Sequence, residues 1–435
     1  MKPDSNLPSA HPVNRRRFLK ASGVAVAAGA VSQSSFIPRA NAADNDLLRI
    51  GLVGCGGRGT GAAAQALAAD SNVRLIAMGD AFPDRLEKSL ATVTASVKDA
   101  AKIDVPPERR FIGFDAYEKV IENVDVVLLA TPPGFRPIHL KAAIDAGKHV
   151  FAEKPVAVDA PGIRSVIESC KEARRKKLAV VSGLCLRYNH GWQETIKRLH
   201  DGAAGEIRGL QANDFRGPIW VKPREPGQTD MEYQMRNWYY FSWLSGDFNV
   251  EQHVHLLDAC SWIMKGEYPE AAYGIGGRQV RTGPEFGNIY DHHSVIYEYA
   301  GGQKLFAYCR QQKGCHSSIS IDVLGGKGTA SLRTKGMEIR ADEKWRYEGE
   351  KNDHYQTEHD ELFASIRSGN PINNGEYMAK STLLAIMGRM ATYTGKRIEW
   401  DQAWNSKEDL SPNNYAWDAK HVPPPPAIPG VTKFV

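Results

Sequence analysis

The stretch "LRIGLVGCGGRGTGAAAQALAAD", residues 48–70, constrains the fold more than any other part of the chain. An apolar run that reads as a buried strand enters Gly54-Cys55-Gly56-Gly57-Arg58-Gly59, and an alanine-rich segment with helical spacing follows. G-x-G-x-x-G alone says little in a chain with 40 glycines. Its setting says more, because a second apolar strand, "VRLIAMGD", ends at Asp80, 21 residues beyond Gly59. In such a unit Gly54 allows the tight turn and Gly56 lets a pyrophosphate approach the backbone. Gly59 lets the helix pack close to the strand, so that the helix N-terminus faces the phosphates. Asp80 is placed to accept hydrogen bonds from the adenosine ribose. That predicts NAD, with NADP possible should a cation such as Arg85 override the carboxylate.

The strand–helix pattern repeats through "VDVVLLAT", "KHVFAEK" and "LAVVSGLCL". Strands apolar throughout belong to a parallel sheet covered on both faces. From Glu206 onward the strands alternate instead, as in "KLFAYCRQQ" and "SSISIDVLG", which suits an antiparallel sheet with one exposed face. The expected class is α/β. A Rossmann dinucleotide-binding domain (43–187) precedes an α+β domain (188–400) with a large open, mainly antiparallel sheet. The tail, 401–435, contains "HVPPPPAIPG", which cannot be helical or lie mid-sheet. It is expected to be an extended arm over another subunit or over the first domain.

The N-terminus reads differently. Arg15-Arg16-Arg17-Phe18-Leu19-Lys20, a modest apolar run, and Ala40 and Ala42 in A-x-A spacing resemble a twin-arginine export signal cut after Ala42. Asn14 stands where Ser or Thr is usual. The run is interrupted by Lys20 and Gln33 and is too short to span a bilayer. Residues 1–42 are therefore expected to be removed and the protein to work in the periplasm. The formal charge of +5 includes basic residues of the signal, so nothing points to nucleic acid or, after cleavage, to a membrane. The six cysteines lie far apart without a C-x-x-C pair. Buried free thiols are expected of a chain that folds before export, with Cys309 and Cys315 the pair most open to bridging.

"ATPPGFRPIHLKAAIDAGKHVFAEKPVAVD" resembles the glucose-fructose oxidoreductase, inositol dehydrogenase and MocA (Gfo/Idh/MocA) family, with Glu153-Lys154-Pro155 its most specific motif. The resemblance implies an active site where a nicotinamide meets the second sheet. It also implies that Gly54, Gly56, Gly57, Arg58, Gly59, Asp80, Thr131, Pro132, Glu153, Lys154 and Arg187 surround the cofactor. Lys154 ends a parallel strand, where ligands of open α/β sheets sit, and can stabilise a developing alkoxide.

A second constellation lies in "SGDFNVEQHVHLLDACSWIMKG". If a helix starts near Val250, Glu251, His255 and Asp258 share one face at i, i+4 and i+7. His255 is then the general base, with Glu251 or Asp258 orienting its ring. Relative to the family, Glu251 replaces the commoner Asp, and His253 stands where glycine is usual, so His253 could touch the substrate. His253 and His255 on a strand could share a metal. On a helix they point about 200° apart, and "LLDACSWIM" reads as helix, so no metal is expected. Arg236 and Trp238 are weaker candidates for holding a sugar.

Together these residues predict a periplasmic NAD(P)-dependent oxidoreductase acting on a hydroxyl of a sugar, sugar derivative or polyol. The cofactor is expected to be tightly held, and the protein to be a homo-oligomer. Two alternatives share the same residues. One is an NAD-dependent glycosidase or lyase that works through a transient keto-sugar without net redox change. The other is a non-catalytic dinucleotide-binding protein.

Overall fold

The computed structural model describes residues 46–333 and 336–435; the signal read at residues 1–42 lies outside them. Six strands, β1 (Leu48–Val53), β2 (Val73–Asp80), β3 (Arg110–Ile112), β4 (Val126–Leu129), β5 (His149–Ala152) and β6 (Val180–Ser182), form a sheet. Its order is β3-β2-β1-β4-β5-β6 and every pair is parallel. Both faces of the sheet are apolar because alternate residues feed two cores. Val53, Ala77, Val127 and Val150 enter one, while Ile50, Leu52, Leu128 and Phe151 enter the other. The strand order reverses between β1 and β4, and the crevice at their carboxyl ends is where ligands of such sheets bind.

The second sheet has nine strands in the order β14 (Lys344–Arg346), β13 (Gly336–Arg340), β12 (Thr329–Arg333), β11 (Ser318–Gly325), β7 (Ile207–Arg216), β10 (Lys304–Gln311), β9 (His292–Glu298), β8 (Ala271–Gly277) and β15 (Ile398–Glu399). It is antiparallel except where β7 pairs with β10. Along β10, Leu305, Ala307, Cys309 and Gln311 are buried while the residues between them are partly exposed, as alternation requires. Helices Val254–Ile263 and Gly375–Thr394 cover the inner face. The second packs so closely that a Cβ at Gly388 would lie 2.2 Å from the Tyr297 hydroxyl of the adjacent β9 (His292–Glu298).

After this sheet the chain returns to the nucleotide half. Helix His354–Arg367 packs on helix Gly57–Ala69, where Gln356 Nε2 donates to the Gln65 carbonyl at 3.0 Å and Arg367 pairs with Asp70 at 2.8 Å. The arm expected over 401–435 begins inside a short helix, Trp400–Asn405, and only residues 406–435 form no helix or strand. All six cysteines are free thiols, so Cys309 and Cys315 are not bridged; five are buried, whereas Cys315 is exposed. No helix among the described residues is long and apolar enough to cross a membrane.

Candidate active site

The glycine turn is built as its spacing requires. Gly54 has φ +96°, and a Cβ there would lie 2.5 Å from the Thr131 backbone nitrogen; at Gly59 it would lie 2.0 Å from the Gly54 carbonyl oxygen. Only glycine fits either place. At Gly56 and Gly57 a Cβ would meet nothing within 4 Å, since both open onto a cavity of about 570 Å³. Helix Gly57–Ala69 starts there with no side-chain cap and no acidic residue in its first turn. Its free N–H groups and positive end suit a phosphate. The cavity continues past Asp80, Thr131 and Pro132 to Trp238, and these residues fit a nicotinamide dinucleotide.

Asp80 is nearly buried. Its Oδ2 accepts the Cys55 N–H at 2.6 Å and its Oδ1 the Phe82 N–H at 2.9 Å. Burial raises its pKa, and the two N–H groups and Arg85 work against that. Each oxygen keeps a lone pair for a ribose hydroxyl. Sequence reasoning missed Trp220 and Lys222, which line the same cavity from the second domain. They lie in an irregular segment without periodicity, and nothing local marks them.

Beyond the cavity, Arg58 leads to the candidate acid–base residues. Its Nε lies 3.1 Å from Glu153 Oε1, close in charge but without hydrogen-bond alignment. The Lys154 N–H donates to Glu153 Oε2 at 3.2 Å. Lys154 Nζ crosses to the second domain, donating to the Glu251 carbonyl at 2.7 Å and to Glu251 Oε1 at 2.9 Å. Burial, helped by the Lys154 and Arg216 cations, drives the pKa of His255 well below its ordinary value. The ring is therefore neutral. Its Nδ1 is buried without a hydrogen-bond partner.

Asp214 and Arg216 of β7 form an ion pair whose charges act on Lys154, Glu251 and both histidines. These two were also missed, although the sequence held a signal. On β7 the alternation that buries Leu210 and Ala212 places charged Asp214 on the same face.

Other candidates go elsewhere. The expected single helix is two, Phe248–Glu251 and Val254–Ile263, broken at Gln252-His253, so Glu251, His255 and Asp258 share no continuous face. Asp258 does not orient His255. It accepts Arg187 Nε at 2.9 Å and Nη2 at 2.9 Å, and the Ser381 hydroxyl at 2.7 Å. Arg187 is correspondingly absent from the cofactor cavity; its guanidinium lies 3.8 Å over the Tyr377 ring and lines a separate groove with Lys265 and Lys380. His253 is fully buried, its Nδ1 3.3 Å from Asn249 Oδ1 and its pKa pulled down to about 3 chiefly by burial. It buttresses the break between the helices instead of facing substrate. Arg236 is held by Asp84 at 3.2 Å and Glu232 at 3.0 Å and lies outside the cavity lining, whereas Trp238 is part of it. Among the described residues no three His, Cys, Asp or Glu side chains are grouped to hold a metal ion.

Residues 48–181 match the model of an oxidoreductase family with an NAD-binding Rossmann fold, and residues 12–32 match the twin-arginine translocation signal. The chain is 23% identical to inositol 2-dehydrogenase of Rhizobium meliloti over 288 residues, 66% of this chain and 76% of that protein. It is 31% identical to 2,7-anhydro-N-acetylneuraminate hydratase of Escherichia coli over 205 residues, 46% of this chain and 50% of that one. The crystal structure of an aldose-aldose oxidoreductase from Caulobacter crescentus superposes with a TM-score of 0.64 at 20% identity, covering 81% of this chain and 99% of that one. That last likeness speaks to the fold.

Proposed function

We propose that this chain, whose residues 48–181 match the Gfo/Idh/MocA oxidoreductase model and whose residues 12–32 match the twin-arginine signal, is a periplasmic enzyme that oxidises a hydroxyl of a sugar, sugar derivative or polyol. The observation that carries the reading is Lys154 clamped by Glu251 beside a neutral His255, next to a cavity shaped for a dinucleotide. When bound, NAD supplies the hydride acceptor. The protein's own residues handle the proton. His255 takes the hydroxyl proton. Two of the three Lys154 ammonium hydrogens are committed to Glu251, and the third is free to hold the substrate oxygen as negative charge develops on it. Inositol 2-dehydrogenases among the relatives support a polyol or sugar substrate.

A second reading is favoured by the 31% identity to the anhydro-sugar hydratase. A hydroxyl would be oxidised only transiently, which acidifies the neighbouring C–H and allows an elimination, with no net redox change. His255 and Lys154 keep their roles.

The protein should be purified from the periplasm and its denatured extract analysed by mass. Near one nicotinamide dinucleotide per chain is expected, because an exported enzyme folded before transport cannot draw on a cytoplasmic pool. A screen of sugars and polyols with product analysis then separates the readings. A keto product with matching NADH supports oxidation, and an eliminated product without NADH supports the second reading. An empty protein with no response to any sugar or polyol would overturn both.

A further inference from the structure

The C-terminal arm supplies a device that the reaction itself does not require. Phe82, Phe114 and Phe135 line the dinucleotide cavity near Asp80 and Pro132. Their outer sides are covered by the arm. The Trp417 ring lies 4.5 Å from Phe114 and 5.2 Å from Phe82, and the Tyr415 ring lies 5.4 Å from Phe135 and 6.2 Å from Phe114.

The arm is tied down on both sides of these rings. Before them, Glu408 pairs with the buried Arg389 at 2.5 Å, and the Leu410 N–H donates to Asp159 at 3.0 Å. After them, Gln234 Nε2 donates to the His421 carbonyl at 2.8 Å, and the Tyr290 hydroxyl donates to the Ala427 carbonyl at 3.0 Å. Asp159 caps a helix of the nucleotide half, whereas Gln234 and Tyr290 belong to the second domain. A stretch with no helix or strand thus spans both halves and braces the cavity wall by ring contacts.

We propose that residues 406–435 are a cofactor-retaining strap, in which Tyr415 and Trp417 hold the aromatic wall closed and slow the escape of the bound dinucleotide. This rests on the reading that the cavity holds NAD. With the strap rings gone, Phe114 loses both arm rings and Phe82 keeps only the Arg236 guanidinium, 4.0 Å over its ring, so the wall can open at Phe114. Four such ring contacts are together enough to change a release rate by about tenfold or more.

The test uses the full chain, its Tyr415→Ala/Trp417→Ala double variant, Trp417→Phe, and a chain stopped after Asn405. Each is loaded with NADH and diluted into excess NAD, and release is followed by nicotinamide fluorescence, with thermal melting of the cofactor-free proteins alongside. The double variant should release NADH at least about tenfold faster, and Trp417→Phe, which keeps a ring, should stay close to the parent. The stopped chain should behave like the double variant; if it does not fold, the double variant decides. Unchanged release from a folded double variant would overturn the strap. Release is read without any substrate, so failure of the sugar or polyol reading would appear separately, as absent turnover in the parent chain.

Discussion

Lys154 Nζ and Glu251 Oε1 lie 2.9 Å apart although 97 residues separate them in the chain. Both side chains are almost buried, so the pair is little screened. It joins the end of β5 in the nucleotide half to the short helix Phe248–Glu251 of the second domain. Lys154→Ala should lower kcat by about two to four orders of magnitude while NAD affinity stays within a few-fold. Glu251→Gln should lower kcat less, since the Glu251 carbonyl still holds Nζ. Steady-state kinetics and NAD titration check both; near-normal kcat in Lys154→Ala would remove the lysine from the chemistry.

His255→Ala should cost about two to four orders of magnitude in turnover. The pH profile gives a sharper test. The folded-state pKa of His255 is depressed, so the neutral, proton-accepting form persists as pH falls below the ordinary imidazole value of about 6.5. The acid limb of kcat/KM should therefore lie below that value. A limb at or above it would show that His255 is not the base.

Asp80 should repel a 2′-phosphate, so NAD(H) should bind at least about tenfold more tightly than NADP(H), a difference of about 1.4 kcal/mol. Arg85 and Lys222 line the same cavity, and in Asp80→Asn they would face the phosphate unopposed. That variant should lose the preference or reverse it. Binding titrations with both cofactors decide, and an unchanged ratio in Asp80→Asn would place the discrimination elsewhere.

His139, His253 and His359 are buried neutral, each with its pKa pulled down to about 3, chiefly by burial. Below about pH 6.5 the unfolded chain binds protons that the folded one refuses, so stability is full above that pH and is lost as pH falls towards 3. Melting temperature should drop steeply through pH 6 to 4. His359, its ring tilted against Phe151 with centroids 4.2 Å apart and neither ring nitrogen bonded, is the cleanest probe. His359→Leu should be more favourable relative to the parent at pH 5 than at pH 8. Equal effects at the two pH values would contradict the assignment.

Asp247 is fully buried with φ +77° and ψ 157°, a backbone conformation suited to glycine. It is held there by His293 Nε2 at 3.2 Å, the Tyr393 hydroxyl at 2.5 Å and the Tyr290 N–H at 3.0 Å. Asp247→Gly would relieve strain of about 1–3 kcal/mol but strand those buried partners, at about 3–5 kcal/mol. The loss should win by about 2 kcal/mol in chemical denaturation. A variant more stable than the parent would mean that the strain outweighs the network.

The glycine turn, the parallel order and Asp80 at the end of β2 are legible in the amino-acid sequence because each rests on local sterics. Gly54 needs a positive φ, Gly59 admits no Cβ, and strands with apolar residues on both faces must be covered on both. The alternation of β7, β9 and β10 likewise marks a one-sided sheet.

Where the side chains converge is settled by packing between segments far apart in the chain. The break at Gln252-His253 separates Glu251, which meets Lys154, from Asp258, which meets Arg187, a partner 71 residues away that no helical periodicity could reveal. Trp220, Lys222 and the arm rings Tyr415 and Trp417 reach the cofactor side from irregular chain. Irregular segments have no repeat by which spacing could place a side chain. Their position follows from burial against residues that only the folded chain brings near, which is why the cofactor motif is legible in the sequence and the wall around it is not.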